Sequence, residues 1–406
     1  MQRISQKIVV MGLGYIGLPT ASMLATKGHQ VLGVDVNEQA VATINSGRIH
    51  IIEPDLDILV RSAVNSGNLK ASMTPEEGDT FIIAVPTPFM EIDGNPKAPD
   101  LSYVESATQA IVPFLRPGNL VILESTSPVG TTEMIYKTIV EMRPELEGKI
   151  HAAHCPERVL PGHIIRELVD NDRIVGGLSK TANELAKDLY SSFCNGSVLL
   201  TDSRTAELSK LVENSFRDVN IAFANELSLI CDHLGINVWE TIALANRHPR
   251  VNILQPGPGV GGHCIAVDPW FIVSSAPKQA RLIKTAREVN DAKPHWVIDK
   301  VKAKAARFKE PVIGCLGLAF KANIDDMRES PSLEIVKDMI QQNIGKIMAC
   351  DPNVHADKVD FPLYDLKQVL KEADILLLLV DHTEFKEIDL DTVKEKVVID
   401  TRGVLR

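Results

Sequence analysis

Short apolar runs, spaced by longer mixed segments, set the rhythm of the first half of the chain. They are Lys7-Ile8-Val9-Val10-Met11, Gln30-Val31-Leu32-Gly33-Val34, Phe81-Ile82-Ile83-Ala84-Val85 and Leu120-Val121-Ile122-Leu123. Unbroken apolar runs of this length fit strands buried on both faces, and the segments between them suit crossover helices, so a parallel sheet is predicted. Ile150-His151-Ala152-Ala153-His154 and Ser197-Val198-Leu199-Leu200 are read as extending that sheet, which closes a first domain at residues 1–200.

The period changes at Ser203. No Pro or Gly occurs from there to Leu234, and Leu208, Leu211, Val212, Val219, Ala222 and Phe223 share one side of a 3.6-residue helix. One long helix is predicted, with Glu207, Lys210, Asn214 and Arg217 on a polar stripe opposite. Helical sequence continues to about residue 305, broken by Gln255-Pro256-Gly257-Pro258-Gly259-Val260-Gly261-Gly262, a loop suited to close approach. These residues, 201–305, form a central helical region. Strand rhythm returns at Val312-Ile313-Gly314-Cys315-Leu316, Lys346-Ile347-Met348-Ala349-Cys350, Ile375-Leu376-Leu377-Leu378 and Val397-Val398-Ile399-Asp400, within a last domain at 306–406. The fold class is α/β: two Rossmann-like parallel-sheet domains, alike in pattern, joined by a central helical region with a long helix.

The 406 residues are 45% hydrophobic and 24% charged, the composition of an ordinary folded protein. A net charge of -10 opposes general attraction to nucleic acid or anionic membrane, so an anionic ligand needs a local cluster of Arg and Lys. No run approaches the roughly 20 apolar residues of a membrane span, and Met1-Gln2-Arg3-Ile4-Ser5-Gln6 has no signal-peptide pattern. A cytoplasmic protein with no nucleic-acid or membrane partner is expected. Six cysteines lie scattered without CxxC pairs, so neither a disulfide framework nor a metal site is expected.

Gly12-Leu13-Gly14-Tyr15-Ile16-Gly17 follows one strand and opens a helix, the context of a dinucleotide fingerprint. Glycines there allow a tight turn and let a pyrophosphate reach backbone N–H groups at a helix N-terminus. Asp35 closes the second strand, where an acid binds ribose hydroxyls and repels a 2′-phosphate, so NAD is favoured over NADP. Thr87 and Thr126 follow later strands, at the carboxyl edge where open α/β sheets hold ligands.

Cys264 follows the paired glycines Gly261 and Gly262. A free cysteine is commonly a small buried hydrophobe, but glycine backbone lets a substrate reach the sulfur and a nearby cation would favour thiolate. The polar stripe of the long helix offers such a cation in Lys210; an ordinary solvated helix face is the other reading. In His154-Cys155-Pro156-Glu157-Arg158-Val159-Leu160-Pro161-Gly162, Glu157 is a candidate base or water-positioning group and Arg158 a candidate anion ligand, against the alternative of an exposed loop ion pair. Arg247-His248-Pro249-Arg250 and Phe320-Lys321-Ala322-Asn323-Ile324-Asp325-Asp326-Met327-Arg328 add local basic groups; salt bridging by Asp325 and Arg328 is equally open.

Taken together, GLGYIGLP, VPTP, ESTSPVGTT, CPERVLPG, ELSKLVENSFRDVNIAFANEL, RHPRVNILQPGPGVGGHCIAVDPW and GLAFKANIDDMRESP resemble the UDP-glucose/GDP-mannose dehydrogenase family across essentially the whole chain. The resemblance implies an NAD domain, a central dimerisation region giving a homodimer, and a C-terminal UDP-sugar-binding domain. It implies a four-electron oxidation of a nucleotide sugar, expected to be UDP-N-acetyl-D-mannosamine, with another nucleotide hexose as the alternative. Residue by residue, it makes Cys264 the nucleophile and Lys210 the principal acid/base, assisted by Asn214, Asp268, Glu157 and Thr126. Arg158, Val159, Lys210, Asn214, Arg217, His248, Arg250, Gly261, Phe320, Lys321 and Arg328 match sugar-nucleotide contacts. Gly12, Gly14, Tyr15, Ile16, Gly17, Asp35, Thr87 and Thr126 match the cofactor site.

Overall fold

The computed structural model describes residues 5–51, 53–90, 97–160, 162–262 and 264–405. The chain divides into two compact units, residues 1–212 and 213–406.

The first unit is built on strands β1 (Lys7–Met11), β2 (Gln30–Val34), β3 (Leu69–Ser72), β4 (Thr80–Ile83), a short pair β5 (Phe89–Met90) and β6 (Ala98–Pro99), then β7 (Leu120–Leu123), β8 (His151–His154), β9 (Arg173–Gly177) and β10 (Val198–Asp202). Its main sheet has the order β10-β9-β8-β7-β4-β1-β2-β3. The strand order reverses beside β1, which pairs in parallel with β2 on one side and β4 on the other. Ile8 and Val10 point into one buried cluster and Val9 and Met11 into a second, so helices cover both sheet faces and the unbroken apolar run is explained.

Two features depart from the simple reading. The run around Val198 does join the sheet, but through β9, which pairs antiparallel with β8. Neither β3 nor β9 stands out in the sequence, because Lys70 interrupts one and Arg173 with Gly176 and Gly177 the other.

The second unit holds a parallel sheet of β11 (Val312–Leu316), β12 (Lys346–Cys350), β13 (Ile375–Leu378) and β14 (Val397–Asp400), in the order β12-β11-β13-β14. Helices Val238–Ala245, Asp268–Ser275 and Arg281–Ala305 precede it. No helix among the described residues is long and apolar enough to cross a membrane.

The long helix runs from Ser203 to Leu234 as expected, but its faces are inverted relative to a simple amphipathic helix. Leu208, Val212, Phe216, Phe223, Ile230 and Leu234 are exposed, and at about 100° per residue they fall within an arc of about 80°. The opposite, polar face is buried, with Glu207, Lys210, Asn214, Asp218, Asn225 and Ser228 all under one-tenth exposed. A solvated polar stripe is therefore ruled out for all of its members except Arg217, which is exposed. Burial of that face is eased where its groups are partnered: Arg287 Nη1 donates to Asp218 Oδ1 at 2.6 Å, and Asn225 Nδ2 to Asn290 Oδ1 at 2.8 Å.

Candidate active site

After β1 the chain turns through Gly12, which has φ +91° and whose place admits no Cβ because the Ala84 carbonyl would lie 2.8 Å from it. Gly17, at the start of helix Gly17–Thr26, would clash with the Gly12 carbonyl at 1.9 Å if it carried a side chain. Gly14 differs: nothing lies within 4 Å of its Cβ position, so only there does the missing side chain leave open room beside the helix N-terminus. Tyr15 and Ile16 complete this turn, with Tyr15 37% exposed. Asp35, just past β2, accepts the Leu13 and Asn37 N–H groups, each at 2.9 Å, which fixes its carboxylate against the glycine turn.

The second unit repeats this frame. Gly12 N–H donates to Val34 O at 2.7 Å and Gly317 N–H to Cys350 O at 2.8 Å. Leu13 N–H meets Asp35, and Leu318 N–H meets Asp351 at 2.7 Å. The copies diverge at the acid. Asp351 also accepts from Ala319 N–H and faces His382 Nε2 at 3.1 Å, with both side chains buried, so it has no room for a ribose. Asp35 is only partly buried, so of the two acids it is the one that a cofactor ribose could reach.

At the carboxyl edge of the first sheet, Thr87 Oγ1 donates to Thr126 O at 2.6 Å and Ser125 Oγ to Val85 O at 2.6 Å, tying together the loops after β4 and β7. Beyond β8, Glu157 is not part of an exposed loop pair. It is buried, accepting from Arg173 Nη2 at 2.9 Å and from Arg158 N–H at 2.8 Å. Arg158 and Val159 are half-buried, and Arg158 Nη1 donates to Asp172 O at 3.2 Å.

Of the helix stripe, Glu207 turns out to be structural. It accepts from Gly130 N–H, Thr132 N–H and Thr132 Oγ1 at 2.6, 2.7 and 2.7 Å, capping helix Thr131–Met142. Lys210, one turn on, is buried without belonging to that cap. Burial pushes the nearby His154 imidazole down to about 3, and the Lys210 charge acts in the same direction, so His154 is a neutral neighbour at ordinary pH.

In the second unit, Asn214 Nδ2 donates to Asp268 Oδ2 at 2.6 Å, both side chains being buried. Asp268 is the first residue of helix Asp268–Ser275, and its N–H returns to the Cys264 carbonyl at 2.9 Å. Cys264 itself is exposed, whereas Cys155, Cys231, Cys315 and Cys350 are buried. Burial pushes the Cys155, Cys315 and Cys350 thiols up to about 12, which makes them inert. The glycines before Cys264 are demanded by packing: a Cβ on Gly261 would lie 2.4 Å from Glu329 O and 2.8 Å from Phe320 Cβ. Gly262 has φ +86° and donates its N–H to Arg328 O at 3.2 Å.

The structure thus brings Cys264, Gly261, Phe320 and Arg328 into one neighbourhood. Arg328 pairs with Asp326 at 2.5 Å, while Asp325 pairs with Lys358 at 2.6 Å. Lys321 is exposed, and His248 and Arg250 lie exposed on the turn after helix Val238–Ala245. Glu124, Arg173 and Tyr190, buried around Glu157, escaped the sequence reading. The signal was an arginine opening an otherwise apolar strand.

Models of the UDP-glucose/GDP-mannose dehydrogenase family match along the chain: the NAD binding domain at residues 6–194, the central domain at 204–292 and the UDP binding domain at 314–406. An NDP-N-acetyl-D-galactosaminuronic acid dehydrogenase of Ralstonia nicotianae is 60% identical over 98% of this chain and 96% of its own. A UDP-N-acetyl-D-mannosamine dehydrogenase of Escherichia coli is 55% identical over 98% of this chain and 99% of its own. Among solved structures, the UDP-N-acetyl-mannosamine dehydrogenase of S. aureus superposes with a TM-score of 0.88 at 45% identity, covering 98% of this chain and 96% of its own. Matched over nearly all of its length by models and relatives alike, this chain belongs to the UDP-glucose/GDP-mannose dehydrogenase family and is an NAD-dependent nucleotide-sugar dehydrogenase.

Proposed function

We propose that the chain oxidises the C6 primary alcohol of UDP-N-acetyl-D-mannosamine to the carboxylate, in the cytoplasm, supplying a uronate for a bacterial surface polysaccharide. The observation that carries this reading is the exposed Cys264 on a glycine turn, its carbonyl bonded to the N–H of Asp268, in a chain 55% identical to a dehydrogenase of that name.

Gly12, Gly14, Tyr15, Ile16, Gly17, Asp35, Thr87 and Thr126 would hold NAD, which would provide the hydride acceptor for each of two oxidations. Lys210 takes the hydroxyl proton in the first, giving an aldehyde. The Cys264 sulfur then bonds to the aldehyde carbon and its proton passes to the oxygen, forming a thiohemiacetal. Lys210, having released its first proton to solvent, takes that proton as a second hydride departs, and a thioester results. Water breaks the C–S bond, releasing the acid and restoring the thiol. Lys210 and Asn214 steady the oxyanion at the tetrahedral stages, and Asp268, Glu157 and Thr126 orient water and protons. Arg158, Val159, Arg217, His248, Arg250, Gly261, Phe320, Lys321 and Arg328 hold the nucleotide sugar, where cations answer the diphosphate that an acidic chain would otherwise repel. The exposed apolar arc from Leu208 to Leu234 supports a homodimer through the central helices.

A second substrate reading has its own support: the 60% identical relative is named for N-acetyl-D-galactosaminuronic acid. Both sugars carry a 2-acetamido group and a C6 hydroxyl, and they differ in configuration at C2 and C4. Initial rates of NADH formation with the UDP forms of N-acetylmannosamine, N-acetylgalactosamine and glucose distinguish them. The proposal expects the highest kcat/KM with N-acetylmannosamine; no turnover of that compound defeats it.

A further inference from the structure

Two buried carboxylates in the first unit share one buried cation. Glu157 bonds Arg173 at 2.9 Å, with side chains 8% and 4% exposed. Glu124, just past β7, is 1% exposed and has, among the described residues, no partner of opposite charge in hydrogen-bond contact; Tyr190 Oη donates to it at 2.6 Å and Thr20 Oγ1 at 3.2 Å. The Arg173 guanidinium lies 4.7 Å from the Tyr190 ring centroid and 5.2 Å from that of Phe193, with Cys155 Sγ at 3.7 Å. A continuous chain therefore runs from Thr20, on the helix that follows the dinucleotide turn, through Glu124, Tyr190 and Arg173 to Glu157 and the Arg158 amide.

We propose that Arg173 is a positioning residue for the dehydrogenase reaction: its buried salt bridge holds Glu157 in place as its negative partner, so Glu157 works by charge and hydrogen-bond acceptance, and Glu124 holds the proton that balances the cluster. This rests on the reading of Glu157 as part of the reacting site. The charge count favours it. With one guanidinium, two ionised carboxylates would leave a net negative charge in a dry interior, a costly state that one proton removes. That proton belongs on the carboxyl without the salt bridge. Burial indeed pushes Glu124 up to about 7, against the pull of Arg173, with Glu157 adding to the rise and the Tyr190 and Thr20 hydroxyls opposing it. Burial opposes the Arg173 charge more than any other single cause, but Glu157, with Cys155, Tyr190 and Glu124 acting in the same direction, holds Arg173 charged, its pKa well above the ordinary value.

The test is a pair of measurements on the full-length enzyme. In the first, kcat is followed from about pH 5.5 to about pH 9.5 for the wild type, Arg173→Met, Arg173→Lys, Glu157→Gln and the Arg173→Met/Glu157→Gln double variant. Without its counter-charge the Glu157 carboxyl takes up a proton, so Arg173→Met should lose at least about ten-fold in kcat at the acid end and recover to within a few-fold of wild type at the alkaline end. Arg173→Lys should rescue the acid end, and the double variant should be no worse than Glu157→Gln. An equal loss at every pH, or losses that add in the double variant, overturns the proposal; wild-type kcat in Glu157→Gln overturns instead the reading on which it rests.

The second measurement does not depend on Arg173→Met folding. Difference infrared spectra of wild type against Glu157→Gln should show an ionised carboxylate band across the whole range, and against Glu124→Gln a protonated carbonyl band that disappears above about pH 7. A protonated band assigned to Glu157 contradicts the proposal.

Discussion

Asn214 and Asp268 are joined by a 2.6 Å hydrogen bond between two buried side chains, the one on the long helix and the other opening the helix that follows Cys264. A buried carboxylate that loses its donor is penalised by about 1–3 kcal/mol. Asn214→Ala should therefore lower thermal stability as well as kcat. Asp268→Asn keeps the packing while removing the charge, and its kcat should fall by about 10²–10⁴ with an unchanged melting temperature, checked by steady-state kinetics beside calorimetry. Near-normal kcat in Asp268→Asn would remove Asp268 from the chemistry.

Neighbouring positions on the helix stripe should separate by phenotype. Glu207→Ala removes three hydrogen bonds that cap helix Thr131–Met142 and should cost about 2 kcal/mol of stability. Its kcat, measured below the new melting transition, should stay within a few-fold of wild type. Lys210→Ala should do the reverse, keeping the fold and losing nearly all turnover. Similar kinetics in the two variants would refute this division of roles.

The two acids in equivalent frames make a second contrast. Asp35→Arg should weaken NAD binding by at least about ten-fold, or about 1.4 kcal/mol, in a fluorescence titration. Asp351→Asn, placed against the buried His382, should leave NAD affinity unchanged and lower stability. Equal affinity of wild type and Asp35→Arg would discredit the cofactor site.

A pH effect on stability should trace to Lys293. It is buried, donates to Ser228 Oγ and shares the Trp296 ring with Lys300, their Nζ atoms lying 4.1 and 4.7 Å from its centroid. Burial pushes its ammonium down to about 7 from 10.5, with Lys300 acting in the same direction and Asp232 against it. Between those values the unfolded chain binds a proton that the folded chain lacks. Stability therefore rises with pH across this window and is lost as pH falls through about 7. Lys293→Met should flatten that slope in urea unfolding measured at several pH values, and an identical slope in both proteins would exclude this origin.

The sheets were legible where strands are buried on both faces, as in Lys7–Met11 and Ile375–Leu378, because an apolar run admits few other readings. Strand β9 was not, since Arg173 looks like a solvated residue until its ring partners and Glu157 are in place. The long helix was legible in extent and misleading in exposure. Periodicity marks opposite faces but does not say which one meets the core, and here the buried one is polar. The glycine turn at Cys264 could be read as a close approach, but its cause, packing against Phe320 and Glu329, is long-range. Asp351 had a signal that went unused, for it follows β12 as Asp35 follows β2.

The central claim, covalent capture of the aldehyde by Cys264, is tested most directly by trapping. Wild-type enzyme and Cys264→Ser are each quenched in acid during turnover of UDP-N-acetyl-D-mannosamine, with NADH and uronate counted and the Cys264 peptide weighed by mass spectrometry. Two NADH per uronate, a sugar-nucleotide adduct on the wild-type peptide and loss of nearly all uronate formation in Cys264→Ser are the predicted results. Wild-type yields of uronate from Cys264→Ser, with no adduct on the wild-type peptide, would contradict it.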